Sequence, residues 1–325
     1  MRQISIGLQT DKTPAEYVAL AQLIDQYDFD VVSVYCDAPF QPSHAALLLI
    51  APYLHRARLG PAAISPARVH PIDIASQTAL LAQIARGGVY VGLARGAWLK
   101  DYGITESSKP LQAIREAADV IRYLLDGKTG GYEGEIYHLA PHVRAPYKLP
   151  NQPIPLLIGT WGRALGKLAG EIADEVKVGG SANPDFIPVI RRYIHNDKVG
   201  ICLGAVTVID DDRDRARETA RRAVALYVQV VASLDPTVTI DPELTARLKE
   251  YLDRGEEADA ARLISDDLLD RFAFAGDASD IIAHCEASFT AGATRIEFGT
   301  PHGLPSANGI KLLGEKVIPA LRKSR

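Results

Sequence analysis

Short apolar runs rich in β-branched residues alternate with longer helical stretches along the whole chain, and this alternation constrains the fold most strongly. Strands separated by helices pair in parallel, with both faces of the sheet covered. A closed (β/α)8 TIM barrel, an α/β fold, is the simplest such architecture for 325 residues, and an open doubly wound sheet is the alternative. The predicted strands are Ile4–Gln9, Val31–Cys36, Ala57–Ile64, Val89–Ala94, Leu156–Gly159, Val176–Gly179, Gly200–Ile209 and Thr294–Gly299.

The segments between these strands predict helices, two of which begin at a proline. Pro14 opens a helix that runs to about Tyr27, and Pro110 opens one that runs to about Leu125. After the seventh strand, acidic and basic residues recur at helical spacing over about residues 212–270, which is typical of exposed helices. We therefore expect a single barrel domain over residues 1–325 that carries a helical insertion.

Composition excludes several classes of protein. The chain has 36 Lys and Arg against 40 Asp and Glu, with no basic tract, which argues against a nucleic-acid partner. The apolar stretch Ala45–Leu54 is too short to span a membrane, and the N-terminus reads as a strand, not as a signal peptide. Cys36, Cys202 and Cys285 form no CxxC motif. These features predict a soluble, cytoplasmic protein that acts on a small molecule.

Chemistry in a barrel resides on the loops at the carboxyl ends of its strands. The clearest such loop is Gly179-Gly180-Ser181, which Asn183 follows as a helix N-cap and Pro184 as a first helical residue. Exposed amides, the Ser181 hydroxyl and the helix dipole would together bind a phosphate. A tight strand-to-helix turn is the simpler alternative.

Other strand ends carry further candidates. After the fifth strand, Gly159 and Thr160 precede Trp161, whose ring could cover a planar ligand or pack beneath a loop. Asp37 ends an apolar strand and either caps the next turn or faces the pocket. Lys177 fits a Schiff-base lysine or an ordinary charged residue near a strand end. No His and Asp residues recur at metal-ligand spacing, so we expect no metal site.

Several segments follow one another in a recognisable order along nearly the whole chain. They are Arg58–Pro66 with His70-Pro71, Leu157–Gly162 leading to Ala169–Asp174, Ser181–Pro184, Gly276-Asp277, Ala291-Gly292, Gly299–Pro301 and Ile310–Pro319. Together they resemble the bacterial luciferase-like superfamily, and most closely its deazaflavin-dependent branch around methylenetetrahydromethanopterin reductase. Only the region of the insertion lies outside the resemblance.

The resemblance implies a barrel that holds a flavin or deazaflavin at its carboxyl face. It places a non-prolyl cis peptide between Ala62 and Ala63, with Ile64 following, as a bulge behind the central ring of the cofactor. Residues 179–181 would then receive the cofactor phosphate, and residues 159–161 would flank the cofactor side chain.

The chain also departs from that family. Many deazaflavin enzymes have an Asp-His pair after the second strand, but no His follows Asp37, and Gln9 stands where the reductase branch tends to have Glu. The leading hypothesis is hydride transfer between coenzyme F420 and an organic substrate, with 5,10-methylenetetrahydromethanopterin as the candidate and Gln9 and Asp37 at the reacting centre. An FMN-dependent monooxygenase and a flavin-binding barrel without turnover are the alternatives. The resemblance further implies a homodimer or homotetramer.

Overall fold

The computed structural model describes residues 2–323, apart from the side chain of residue 229, and its centre is a ring of eight parallel strands. In chain order the strands are β1 (Gln3–Leu8), β2 (Val31–Val34), β3 (Arg58–Pro61), β4 (Val91–Ala94), β5 (Tyr132–Glu133), β6 (His138–Leu139), β7 (Leu156–Gly159), β8 (Glu175–Gly179), β9 (Gly200–Ile209), β10 (Ala273–Gly276) and β11 (Arg295–His302).

The ring follows the order β3-β2-β1-β11-β9-β8-β7-β4. Isolated parallel bridges, Leu59 with Val89 and Ile64 with Leu93, connect β3 to β4 and so close the sheet on itself. The predicted TIM barrel is therefore confirmed, and the open doubly wound sheet is wrong. β3 ends earlier than predicted, because the chain leaves the ladder after Pro61.

Helices surround this barrel. They are α1 (Pro14–Ile24), α2 (Ser43–Ile50), α3 (Pro71–Ile84), α4 (Pro110–Leu125), α5 (Arg163–Ile172), α6 (Ile187–Ile194), α7 (Arg213–Val231), α8 (Pro242–Asp253), α9 (Glu257–Arg262), α10 (Asp266–Phe272), α11 (Ala278–Thr290), α12 (Ser306–Leu312) and α13 (Ile318–Lys323). Alternate strand residues, such as Ile4, Ile6 and Leu8, are buried in the core against these helices. At the start of α1, Thr13 and Glu16 form a capping box.

The insertion after the seventh barrel strand is helical, as predicted, and it ends in a strand that the sequence analysis missed. Strand β10 pairs with the second half of β9, from Val206 to Ile209, whereas β8 pairs with the first half, from Gly200 to Gly204. β11 pairs along one edge of β9. On the opposite edge β8 pairs with the first half only, so β10 can pair with the second half. A four-residue strand within a charged helical region is too short to show a period of two.

The insertion is attached to the barrel by a buried arginine. Arg217 on α7 donates to Asp270 on α10 at 2.7 Å, to Asp266 at 3.0 Å and to the Ala275 carbonyl of β10 at 3.3 Å. A smaller apolar cluster of α7, α8, α9, α10 and β10 residues surrounds this contact. The insertion therefore has a core of its own beside the barrel core.

The excursion between α4 and β7 folds around a buried carboxylate. Glu116 on α4 accepts hydrogen bonds from the backbone amides of Glu135, Ile136 and Tyr137 at 2.8, 2.8 and 2.9 Å, and from the Gln112 side chain at 2.7 Å. These amides belong to the turn between β5 and β6. One side chain thus anchors the only antiparallel hairpin in the described part of the chain.

Within residues 2–323, no helix is long and apolar enough to cross a membrane. The same residues contain no group of three or more His, Cys, Asp and Glu side chains placed to hold a metal ion.

Candidate active site

All eight barrel strands run in the same direction, so their carboxyl ends meet at one end of the barrel, called the mouth below. The predicted site residues lie at or just beyond these ends, on β1, β2, β3, β7 and β8. The topology therefore places every one of them at the same end of the barrel.

Gln9 and Asp37, which follow β1 and β2, form a pair at the mouth. The Gln9 Nε2 donates to Asp37 Oδ2 at 3.3 Å, and the Thr10 amide donates to Gln9 Oε1 at 2.9 Å. The second bond fixes the orientation of the amide, so that its nitrogen points at the carboxylate. Both side chains are partly exposed. The structure thus brings together the two residues that the sequence analysis assigned to the reacting centre.

The peptide bond between Ala62 and Ala63 is cis, as the family resemblance implied. Small residues surround it and are called the recess below: a Cβ built on Gly159 would lie 3.2 Å from the Ala94 Cβ and 3.7 Å from the Ala63 Cβ. The Ile64 side chain is buried in the core, and its backbone is bridged to Leu93 of β4. The cofactor contact of Ile64 stays a prediction.

Trp161 joins two strand ends. Its indole Nε1 donates to the Gly179 carbonyl at 2.9 Å, and its ring centroid lies 5.0 Å from that of Phe186 in a tilted arrangement. Next to it, the Thr160 hydroxyl accepts from the Gly162 amide at 3.0 Å. The indole is thus fixed by its polar edge while the ring remains partly exposed beside the recess.

The Gly179–Ser181 loop differs from the predicted anion site. The Gly180 and Ser181 amides both donate to the Gly204 carbonyl of β9, at 2.6 and 3.2 Å, and the fully buried Ser181 hydroxyl accepts from the Asn183 amide. The expected exposed amides are therefore already paired, because β9 continues past the end of β8. Gly179 alone keeps open space at its Cβ position. Asn183 does cap the following turn, as predicted.

Two of the histidines near the mouth, His44 and His302, are buried, whereas His70, the N-cap of α3, is exposed. His44 is on the first turn of α2, and His302 ends β11, where its Nε2 is 3.0 Å from the Gly7 carbonyl oxygen. Burial lowers the pKa of each imidazole to about 4. His44 and His302 are therefore neutral near pH 7 and are not exposed to a ligand at the mouth.

Beneath the mouth, the barrel interior holds buried charges that the sequence analysis did not connect. Lys177 on β8 forms an ion pair with Glu297 on β11, which also lies 4.0 Å from Arg295. The Lys177 side chain is therefore engaged as an ammonium, which fits a structural charge better than a Schiff-base amine. Charged residues at alternate positions of β8 and β11, in the sequences EVKVG and RIEFGTPH, are the signal that could have revealed this cluster.

The mouth combines the recess of small residues, the partly exposed ring of Trp161 and the oriented pair of Gln9 and Asp37. Such a recess accepts a flat ring, because glycine and alanine leave the backbone accessible to it. The residues present thus fit a tricyclic redox cofactor better than a hydrolytic centre, which would need a paired nucleophile and base.

Known proteins share this architecture. The chain is 29% identical over 300 residues to a 5,10-methylenetetrahydromethanopterin reductase of Archaeoglobus fulgidus, with 86% of this chain and 87% of that protein covered. It is 25% identical to an F420-dependent glucose-6-phosphate dehydrogenase of Nakamurella multipartita, over 95% and 93% of the two chains. The solved structure of a coenzyme F420-dependent tetrahydromethanopterin reductase from Methanopyrus kandleri has a TM-score of 0.89 at 26% identity, covering 98% of this chain and 99% of that one.

Residues 2–295 of the chain match the family described as Luciferase-like monooxygenase, which includes every strand of the barrel up to the first residue of β11. The chain belongs to the luciferase-like monooxygenase family.

Proposed function

We propose that this protein is an oxidoreductase that transfers a hydride between coenzyme F420 and an organic substrate. The observation that carries the proposal is the recess at the mouth, where Ala63, Ala94 and Gly159 present only small groups beside the Ala62–Ala63 cis peptide. The names of the A. fulgidus, N. multipartita and M. kandleri relatives support the choice of a deazaflavin.

The bound deazaflavin would supply the carbon that accepts or donates the hydride. The chain itself would hold the ring against Ala62 and Ala63, with Trp161 beside it. Gly179, which has open space at its Cβ position, would border the side chain of the cofactor. Because the Gly180 and Ser181 amides are paired with Gly204, they are available to a phosphate only if the loop rearranges.

Gln9 and Asp37 would face the substrate. A carboxamide neither gives nor takes a proton near pH 7, so Gln9 orients Asp37 and cannot act as an acid or a base. Oxidation of an alcohol needs a base for the hydroxyl proton. Reduction of 5,10-methylenetetrahydromethanopterin breaks one carbon–nitrogen bond of its methylene bridge as the hydride adds to the carbon, and the released nitrogen takes a proton. Asp37 is the member of the pair that would transfer the proton in either reaction. The name of the A. fulgidus relative supports 5,10-methylenetetrahydromethanopterin as the substrate.

The test is equilibrium dialysis of the purified protein against oxidised coenzyme F420 and, in parallel, against FMN. We expect binding of F420 in the micromolar range and subsequent oxidation of reduced F420 by methylenetetrahydromethanopterin. Selective binding of FMN with oxygen consumption would instead support the monooxygenase. Binding of F420 with no turnover of any acceptor would support a binding barrel, and failure to bind either cofactor would refute all three.

We also propose a homodimer, or a homotetramer built from such dimers, in the cytoplasm. Helices α2 and α3 pack side by side and expose large apolar side chains. Leu49 is on α2, Tyr53 ends the short 3-10 helix that follows it, and Ile72, Leu80 and Ile84 are on α3 at helical spacing. Helix α2 carries no Asp, Glu, Lys or Arg, which is unusual for the outside of a barrel. A second copy would cover this face. Light scattering should show a dimer or tetramer, and Leu80→Glu should convert it to monomer.

A further inference from the structure

Two ion pairs are stacked inside the barrel along its axis. Glu175 and Arg295 lie at the amino-terminal ends of β8 and β11, with Arg295 Nη2 2.7 Å from Glu175 Oε2. Lys177 and Glu297 lie two residues further along the same strands and are also paired. Because the strands run towards the mouth, Lys177 and Glu297 form the upper pair, and Lys177 is the register partner of Gly159 in the recess.

The Lys177 ammonium is held in place from several sides. Its Nζ contacts Glu297 and lies 4.7 Å from the centre of the Tyr35 ring. Gly204 makes room for the chain, since a Cβ at that position would be 3.0 Å from Lys177 Cε. The Glu297 carboxylate also accepts a hydrogen bond from Ser33. The ammonium therefore has a fixed position.

The upper pair is not symmetric with respect to the mouth. The Lys177 side chain is 7% exposed, whereas the Glu297 side chain is 0% exposed. Glu297 also shares its charge with Arg295, 4.0 Å away. The next inward position on β8 after Lys177 is Gly179, which opens to the mouth. The cation is thus the charge that faces the recess, and the anion is compensated from below.

The Tyr35 ring covers this ammonium and forms the floor of the recess. It follows β2 and is partly exposed, and its hydroxyl occupies space that Gly7 and Gly299 leave empty: Cβ atoms there would lie 2.2 and 2.8 Å from it. The ring therefore reaches from β2 past β1 to β11, across the lumen. A ligand in the recess would have this aromatic ring and the Lys177 ammonium beneath it.

We infer that Lys177 is a positioning residue that stabilises the reduced form of the ring cofactor, an inference that rests on the proposed function. A hydride carries a proton and two electrons, so a neutral ring that accepts it gains one negative charge. The donor loses the corresponding carbon–hydrogen bond and that charge. A fixed ammonium in a water-poor interior stabilises the added charge without reorganisation. Glu297 holds the ammonium, and Tyr35 acts as the spacer.

The test compares the dissociation constants of reduced and oxidised F420 by equilibrium dialysis. Lys177→Met alone would leave Glu297 buried and unpaired, so the variant to use is Lys177→Met with Glu297→Gln. We expect it to weaken binding of the reduced form roughly tenfold relative to the oxidised form. Glu297→Gln alone leaves the Lys177 ammonium without its carboxylate partner, so it should strengthen binding of the reduced form relative to the oxidised form.

The lower pair provides the matched control. Glu175→Gln with Arg295→Met removes the same two charges two residues further from the mouth along β8 and β11. The ratio of the dissociation constants of reduced and oxidised F420 should therefore change less. A purely structural role of Lys177 would weaken both forms equally in every variant, and an unchanged ratio in folded variants would overturn the inference. Failure of the unmodified protein to bind F420 would instead refute the proposed function itself.

Discussion

The amide nitrogen of Gln9 lies 3.3 Å from Asp37 Oδ2, so a neutral side chain occupies the place beside the only carboxylate that follows β2 before α2. The Thr10 amide holds the other end of that carboxamide, at 2.9 Å. This relationship makes Asp37 an oriented acceptor. It also separates two roles that can be tested independently, namely orientation by Gln9 and charge at Asp37.

Gln9→Glu should create a coupled pair of carboxyl groups. Two carboxylates about 3 Å apart do not both ionise readily, so the two groups should share one proton and titrate in two separate steps. NMR titration of the side-chain carboxyl carbons measures this directly, without any substrate. Two carboxyl groups that titrate independently of each other would show that the side chains separate in solution.

Asp37→Asn should reduce turnover at least about tenfold while leaving the F420 dissociation constant within about twofold, because the pair faces the substrate and not the ring. Steady-state kinetics together with dialysis measure the two effects. Asp11→Asn is the matched control, since Asp11 lies at the same loop but pairs with Lys12. Equal losses in both variants would argue against a specific role for Asp37.

Ala63→Leu should fill the recess. The Ala63 Cβ already lies 3.4 to 3.7 Å from the Cβ positions of Gly92 and Gly159, so three further carbons must project into the mouth. We expect binding of F420 to weaken more than about tenfold with little change in thermal stability. Ala258→Leu, at an exposed position of α9, controls for the added apolar surface. Unchanged affinity in Ala63→Leu would place the ring elsewhere.

Glu116→Gln should destabilise the fold in a pH-dependent way. Burial alone would raise the pKa of this carboxyl, but the hydrogen bonds from Tyr137, Gln112, Ile136 and Glu135 outweigh it and lower the pKa below its ordinary value of 4.5. The carboxylate therefore adds stability above about pH 4.5, and this stability is lost as the pH falls through the lowered pKa.

We expect Glu116→Gln to cost about 2 kcal/mol at pH 7 and clearly less near pH 3, measured by urea denaturation at both values. Glu133→Gln, on the neighbouring strand β5 and largely exposed, should cost almost nothing. A cost for Glu116→Gln that is the same at both pH values would mean that the charge contributes nothing to the anchor.

Gly180→Ala tests the loop that was predicted to bind phosphate. Gly180 has φ +82°, and a Cβ there would lie 3.3 Å from Val231 Cγ1 on α7. The substitution should therefore destabilise the protein by about 1 to 2 kcal/mol. Gly255→Ala, with φ +73° and open space at its Cβ position, isolates the backbone contribution. Equal costs would show that packing against α7 is unimportant.

The barrel could be predicted because its signal is repeated eight times, and no single misjudged boundary changes the outcome. The Ala62–Ala63 cis peptide was predicted only through the family resemblance, since nothing local distinguishes that alanine pair. The pairing of the Gly180 and Ser181 amides could not be predicted, because their acceptor, the Gly204 carbonyl, lies 24 residues after Gly180 on another strand. The buried Lys177–Glu297 pair joins residues 120 positions apart, so the alternating charges on each strand could indicate buried charges but not which two residues pair.

The way in which Tyr35 crosses the lumen ties three distant positions of the chain to one another. Its hydroxyl can occupy that space only while residues 7 and 299 lack side chains, and a smaller residue at position 35 would leave a void beside the buried ammonium. Relatives that carry a larger residue at either glycine position should therefore have replaced the tyrosine as well. Transferring one of these three residues into another barrel without the other two should leave the buried charges of that barrel open to water.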